Sequence, residues 1–209
     1  MRAEAAQSHK RLSHCCCCCC YAATALYPSN TCRYSKLSEL QVLFFCHYFL
    51  AAVRDLIDSS SQASQPLVSN TWGDAFYFVF SKVQDAGNFA LRFSQLVTAT
   101  EWTRYGLPSD LSIRISLHAA PVFVVTDPIT KTRNYTGVHT SMAARIEPIT
   151  PPGLVYSSQA YACMVETLGV QDLRCTYVGN VPLAKDYGFA KLYHVKSQGR
   201  RGSGPSLYV

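Results

Sequence analysis

Ser69-Asn70-Thr71-Trp72-Gly73-Asp74-Ala75-Phe76-Tyr77-Phe78-Val79-Phe80 sets one carboxylate behind a glycine at the mouth of an unbroken aromatic run. Asp74 is the only charge in the stretch. A run of aromatic and β-branched residues, bounded by polar residues on one side and Ser81 on the other, predicts a buried strand. Glycine accepts positive φ at no steric cost, so Gly73-Asp74 predicts the tip of a tight hairpin. A carboxylate held there, beside a hydrophobic sheet, is placed to meet a cation, although a turn aspartate without a ligand is the commoner case. Phe76, Tyr77, Phe78 and Phe80 read as core and not as a base-stacking platform, because they sit in a strand pattern and not on a basic face.

Outward from this hairpin the pattern alternates between helices and strands. Upstream, Ser38-Glu39-Leu40-Gln41 is a capping box, and Leu40, Leu43, Phe44, Leu50, Val53 and Ile57 recur at helical spacing. The apolar part, Val42 to Val53, falls short of the ~18 residues a membrane span requires and is expected to be a buried helix. Downstream, Ser81-Lys82-Val83-Gln84 is read as a second capping box, opening a helix that turns Val83, Phe89, Ala90, Phe93 and Leu96 to the core. Leu111, Ile113, Ile115 and Leu117 alternate with Ser112, Arg114 and Ser116, which predicts a strand with one wet face. Pro121 to Thr126 is expected to turn back as its partner, with a hairpin loop from Asp127 to Asn134. A helix over 137–146, a short strand at 154–157, a helix over 158–168 and strands near 173–178 and 190–194 complete the reading. Helices and hairpins on one antiparallel sheet make an α+β layer.

Composition suits one globular domain of 209 residues, 48% hydrophobic and 15% charged. The formal charge of +6 is a property of the ends. Residues 30–195 carry thirteen of the nineteen Lys/Arg and twelve of the thirteen Asp/Glu, so there is no basic face of the kind nucleic-acid binding needs. Six of the ten cysteines form the run Cys15 to Cys20, which has neither disulfide geometry nor metal-ligand spacing. With the rest scattered, the chain reads as reduced and cytoplasmic. Residues 1–22 are expected to be a disordered low-complexity segment, 23–196 the domain, and 197–209 a flexible tail. Two outside readings of the N-terminus are a secretory signal and a palmitoylated tether.

Four ordered blocks carry a family likeness: Asn70-Thr71-Trp72-Gly73-Asp74; Ile113-Arg114-Ile115-Ser116-Leu117-His118 through Val122; Tyr135-Thr136-Gly137 through Ala143-Ala144-Arg145-Ile146-Glu147; and Pro152-Gly153-Leu154-Val155-Tyr156-Ser157. From about Tyr34 to Val195 the chain resembles the class III adenylate/guanylate cyclase catalytic domain, in its bacterial-type form. Four blocks in order over such a length are far more specific than one short motif.

The resemblance implies a ferredoxin-like core with additions, working as a two-fold dimer with active sites at the interface, each built from both protomers. It implies ATP or GTP as substrate and two Mg²⁺ or Mn²⁺ ions held by two aspartates of one protomer. Asp74 matches the second aspartate. The first falls at Asn30, an amide, and Arg33 stands at the glycine of the same block, so the match stops sharply upstream of Tyr34, as expected for an alternative start. The partner protomer's share is Arg145, matching the arginine that stabilises charge on the phosphates, and Ser141, in place of a ribose-orienting asparagine. A salt bridge to Glu147 is the plainer reading of Arg145. Gly73 shapes the metal hairpin, and Asn70 and Asn134 fall where the base is read. Lys185 is the nearest candidate for a late phosphate-contacting lysine, although the spacing puts Tyr187 there. His118 matches a strand histidine and reads as structural. The chain is thus expected to be a nucleotidyl cyclase, acting as a homodimer or a heterodimer with another cyclase domain. The alternative is a catalytically dead cyclase-homology module that dimerises and regulates.

Overall fold

The computed structural model of the chain describes residues 18–26, 37–137, 139–183 and 187–199. Asn30, Arg33, Tyr34 and Lys185 lie outside the described residues.

The hairpin that opens the reading is present. Strands β2 (Val68–Trp72) and β3 (Ala75–Phe80) pair antiparallel with Trp72 opposite Ala75, leaving Gly73-Asp74 as a two-residue loop. Gly73 has φ +65°, the left-handed conformation such a loop requires. β3 runs beside β1 (Cys18–Leu26), and β1 pairs on its other edge with β4 (Ile113–Pro121), both antiparallel. With the helices between them, these four strands in the order β2-β3-β1-β4 make the expected ferredoxin-like unit. β7 (Val155–Ser158), β9 (Phe189–Ser197) and β8 (Leu173–Pro182) extend the sheet beyond β4 to seven strands. The β4–β7 pair is parallel, so the sheet is mixed rather than wholly antiparallel.

β1 is described over Cys18–Leu26. The end of the polycysteine run is therefore in the middle of the sheet, not in a disordered leader. A second correction concerns β5 (Phe123–Thr126), which pairs with β6 (Arg133–Thr136) in a separate two-stranded ribbon and not with β4. The Asp127 carboxylate closes the ribbon's loop by accepting from the Ile129 and Thr130 amides at 2.7 and 3.0 Å.

On one face of the sheet lie α1 (Glu39–Phe44), a π-helical turn over Phe45–Phe49, α2 (Leu50–Asp58) and α3 (Val83–Ala99). The Ser38–Gln41 capping box forms as expected. Yet Leu40 and Leu43 point to solvent, while Phe45, Phe49 and Val53 enter the core. A π turn spends more residues per turn than an α-helix, which shifts the buried stripe away from the 3.6-residue pattern. The continuous helix Glu39–Asp58 has 20 residues and is long and apolar enough to cross a membrane, against the shorter apolar stretch read from sequence. Its Phe45–Phe49–Val53 stripe is packed inside the domain, and the rest of its surface is largely exposed, so it is not the wholly buried helix expected. For α3 the cap is Lys82, not Ser81, and Gln84 bonds instead to the Asp172 carboxylate at 2.9 Å. The core between these helices and the sheet is aromatic: Phe49, Phe76, Phe78, Phe89, Phe93 and Trp102 lie ring against ring. Each such ring removed from water contributes about 1.5–3 kcal/mol.

The opposite face of β4 is covered too. α4 (Met142–Ile146) and the 3₁₀ turn Glu147–Ile149 lie against it, so the expected wet face is dry. Ser116 is fully buried and its hydroxyl donates to the Ala143 carbonyl at 2.7 Å, while Arg114 reaches the Pro148 carbonyl at 3.0 Å. Ser116 thus holds α4 and Arg114 the turn after it. α5 (Gln159–Thr167), capped by the Ser158 hydroxyl, packs on the helix-bearing side, where the Tyr161 hydroxyl donates to the Val83 carbonyl at 2.7 Å.

Candidate active site

Two of the sequence blocks converge where the β2–β3 hairpin, the β5–β6 ribbon and α4 meet. Val79 of β3, Tyr135 of β6 and Ala143 of α4 form one buried cluster, against which Val68 and Tyr77 also pack. A single apolar contact thereby fixes the spacing between the hairpin that carries Asp74, the strand that carries Asn134 and the helix that carries Arg145. β2 and β6 also touch, which brings the half-buried Asn70 and Asn134 to neighbouring strands. The Asn134 carboxamide oxygen accepts from the Tyr135 amide at 2.8 Å, leaving its NH₂ group as the free end.

Asp74 is half-buried at the hairpin tip. Across the sheet, β1 and β3 pair as far as Ala25 opposite Ala75, so Leu26 is the β1 residue level with Asp74. Asn30, the position indicated by spacing, lies outside the described residues, and β1, Cys-Cys-Cys-Tyr-Ala-Ala-Thr-Ala-Leu, contains no acid. The acid that does sense Asp74 is Glu147, just after α4. Burial holds the Glu147 carboxyl above its usual range; the Arg114 guanidinium opposes that shift, and the Asp74 charge adds to it. The plainer reading of Arg145 as the partner of Glu147 is therefore not what the side chains do, since the cation acting on Glu147 is Arg114.

Arg145 instead lies flat on Tyr187, its guanidinium carbon 3.4 Å from the ring centroid. Its Nε is buried without a hydrogen-bond partner among the described residues. Ser141 begins α4; it makes no capping hydrogen bond, its carbonyl accepts from the Arg145 amide at 3.2 Å, and its side chain is exposed. Behind this helix His118 is buried on β4, its Nδ1 2.8 Å from the Ser158 hydroxyl and its ring 5.7 Å from that of His139, in the turn leading to α4. Burial, reinforced by the His139 charge, lowers the His118 pKa to about 4. It is a neutral structural residue, as expected from sequence. Tyr187, Glu147 with Arg114, and His139 were not singled out as a group by sequence reasoning. Sequence alone offers Glu147 as a partner for Arg145, and the misfit spacing points to Tyr187.

A pair of divalent ions needs several hard oxygen ligands. Among the described residues no three His, Cys, Asp or Glu side chains come together. Glu147, the one carboxylate electrostatically linked to Asp74, is already countered by Arg114. The described donor set does not fit a two-ion centre, and no chemical step is derived through one.

No protein-family model matches this sequence, and no curated protein matches it either. Solved structures do match. The catalytic core of a rhodopsin-guanylyl cyclase with converted specificity, in complex with ATPαS, superposes with a TM-score of 0.69 over 86% of this chain and 95% of that one, at 17% identity. This is the nucleotidyl cyclase fold. The guanylate cyclase domain of RhGC from Catenaria anguillulae, in complex with GTP, gives 0.68 at 17% identity, covering 86% of this chain and 96% of its own. Adenylate cyclases from Trypanosoma brucei in their monomeric state give 0.67 at 17%, covering 85% and 88%. Within the nucleotidyl cyclase fold, the Asp74 hairpin, the Asn134 strand and the Arg145 helix are contiguous in this chain, whereas Asn30 is not among the residues described.

Proposed function

We propose that this chain is a nucleotidyl cyclase domain that converts ATP or GTP to a 3′,5′-cyclic nucleotide and pyrophosphate, acting as one half of a dimeric site. The observation that carries the reading is the shared packing of the Asp74 hairpin, the Asn134 strand and the Arg145 helix within a cyclase fold. In this reaction the ribose 3′-hydroxyl gives up its proton to solvent as its oxygen attacks the α-phosphorus, the bond from that phosphorus to the oxygen bridging to the β-phosphate breaks, and pyrophosphate leaves with the electron pair. Arg145 supplies a fixed cation for charge on the phosphates, which is the kind of preorganised electrostatic stabilisation that lowers such barriers. Ser141 offers a hydroxyl to the ribose. Asn70 presents an amide that both donates and accepts, and Asn134 its NH₂ donor, to the base, a set that matches acceptors on either purine. The similar structures include one holding ATPαS and one holding GTP, in keeping with an open choice. Lys185 remains part of this reading as a second phosphate cation, and Asn30 as the position where the metal-binding acid is missing.

The test is complementation. A cyclase protomer that has both aspartates but lacks its arginine is mixed with this chain, which then donates Arg145 and Ser141 to one working site of the heterodimer. Cyclic nucleotide formation appears in the mixture and disappears with Arg145→Ala in this chain. Dimers seen by light scattering that stay inactive overturn the cyclase reading and leave the dimerising, regulatory one.

A further inference from the structure

Tyr187 sits in the loop between β8 and β9, roughly half-exposed, and the Arg145 guanidinium is laid flat against its ring. We propose that Tyr187 is the positioning residue for Arg145, holding the guanidinium so that its terminal nitrogens face a phosphate; the proposal rests on the cyclase reading of Arg145.

The geometry of the guanidinium makes the stack useful. All five of its N–H donors lie in the plane of the group, so a ring on its face restrains it without consuming a single donor. A carboxylate in the same place would occupy the fork that a phosphate needs. The stack also closes Nε off from solvent without giving it a partner. The two terminal nitrogens are thereby left as the fork for an anion.

A second, independent contact fixes the loop to the helix. Leu183 and Leu192, at the two sides of the loop that carries Tyr187, are buried in one cluster with Ile146, the residue after Arg145, and Met142 packs on it. The loop is closed by the Leu183 amide donating to the Gly188 carbonyl at 2.8 Å, with Gly188 in the left-handed region at φ +82°. Ring and guanidinium are thus presented to each other by packed backbone on both sides, not by two free side chains meeting at a surface. An aromatic at this place performs a different task from the phosphate-contacting lysine that the spacing called for: it organises the existing cation in place of adding another.

The experiment has two arms. In the first, the Arg145 Nε–H is followed by NMR: the stack predicts a ring-current upfield shift and slow exchange with water, both lost in Tyr187→Ala and kept in Tyr187→Phe. In the second, binding of inorganic tripolyphosphate is measured by calorimetry. A cation–π contact of this kind corresponds to a loss of roughly 2- to 30-fold in affinity for Tyr187→Ala, while Tyr187→Phe stays within about twofold of wild type and Arg145→Ala loses the most. An Nε–H signal that Tyr187→Ala leaves unchanged overturns the proposal. So does a Tyr187→Ala variant that binds tripolyphosphate as well as wild type while Arg145→Ala does not. Equal binding by wild type and Arg145→Ala overturns the cyclase reading of Arg145 instead, and the Nε–H signal still decides whether Tyr187 holds the side chain.

Discussion

His118 gives the domain a built-in sensitivity to acid whose size follows from its surroundings. The imidazole is 5% exposed on β4, its Nδ1 is 2.8 Å from the Ser158 hydroxyl, and its Nε2 has no partner among the described residues. Ser158 also accepts from the Tyr161 amide at 3.3 Å, and its hydroxyl either donates to Nδ1 or accepts from it according to the tautomer of the neutral ring. A second proton is opposed by burial and by the neighbouring titratable ring of His139, 5.7 Å away. Burial first, and His139 second, lower the pKa from 6.5 to about 4. The folded-state value lies below the unfolded one, so the stabilisation is fully present above pH 6.5 and is lost as pH falls through 6.5 towards 4. Linkage over that interval puts the loss at about 2.5 kcal/mol by pH 4.5. That is a sizeable part of the ~5–15 kcal/mol typical of a domain. Urea unfolding of wild type and His118→Gln at pH 7 and pH 4.5 measures it. The glutamine variant is less stable at pH 7 but loses about 2.5 kcal/mol less on acidification than wild type. Equal losses in the two proteins refute the reasoning, because every other titrating group is common to both.

Asp74→Ala leaves the thermal midpoint within a few degrees of wild type, as a half-exposed turn carboxylate is not core, and it lowers the Glu147 pKa toward its ordinary range; carbon-detected NMR titration of Glu147 reads the shift. Phe78→Ala costs about 3–5 kcal/mol in denaturant unfolding, since its ring is buried among Phe76, Phe80, Phe89 and Phe93. Gly87→Ala destabilises the fold despite gaining helix propensity of about 1 kcal/mol, because the added methyl collides with the Leu173 and Tyr161 side chains; a raised melting temperature refutes that packing argument.

Most of the architecture was legible because its signals are local. The aromatic run at Phe76 to Phe80, the glycine at the hairpin tip and the Ser38 capping box each state their conformation within a few residues, and each is found in place. What sequence missed is what depends on a distant partner. Ser116 reads as a wet-face residue until α4 covers it, and Leu40 reads as core until a π turn rotates the stripe to Phe45 and Phe49. Phe123 to Thr126 alternates well enough to pair with anything, and only the close return at Arg133–Thr136 makes β6 its partner. The site divides in the same way. Asp74, Asn134 and Arg145 stand in recognisable blocks, and one buried contact among Val79, Tyr135 and Ala143 draws those blocks together. The stack of Arg145 on Tyr187 joins residues forty-two positions apart through a loop whose own sequence carries no motif, so no local pattern could announce it. Upstream, spacing and pairing give different answers. Counting back from Tyr34 lands on Asn30, whereas the ladder from Cys20–Phe80 to Ala25–Ala75 runs without a slip and puts Leu26 level with Asp74. Register is enforced at every rung of a central strand, because a one-residue shift would turn its side chains to the wrong faces. A motif count across a connection with no matching glycine has no such constraint. The ladder therefore fixes the backbone register of β1 against the hairpin, with Leu26 level with Asp74.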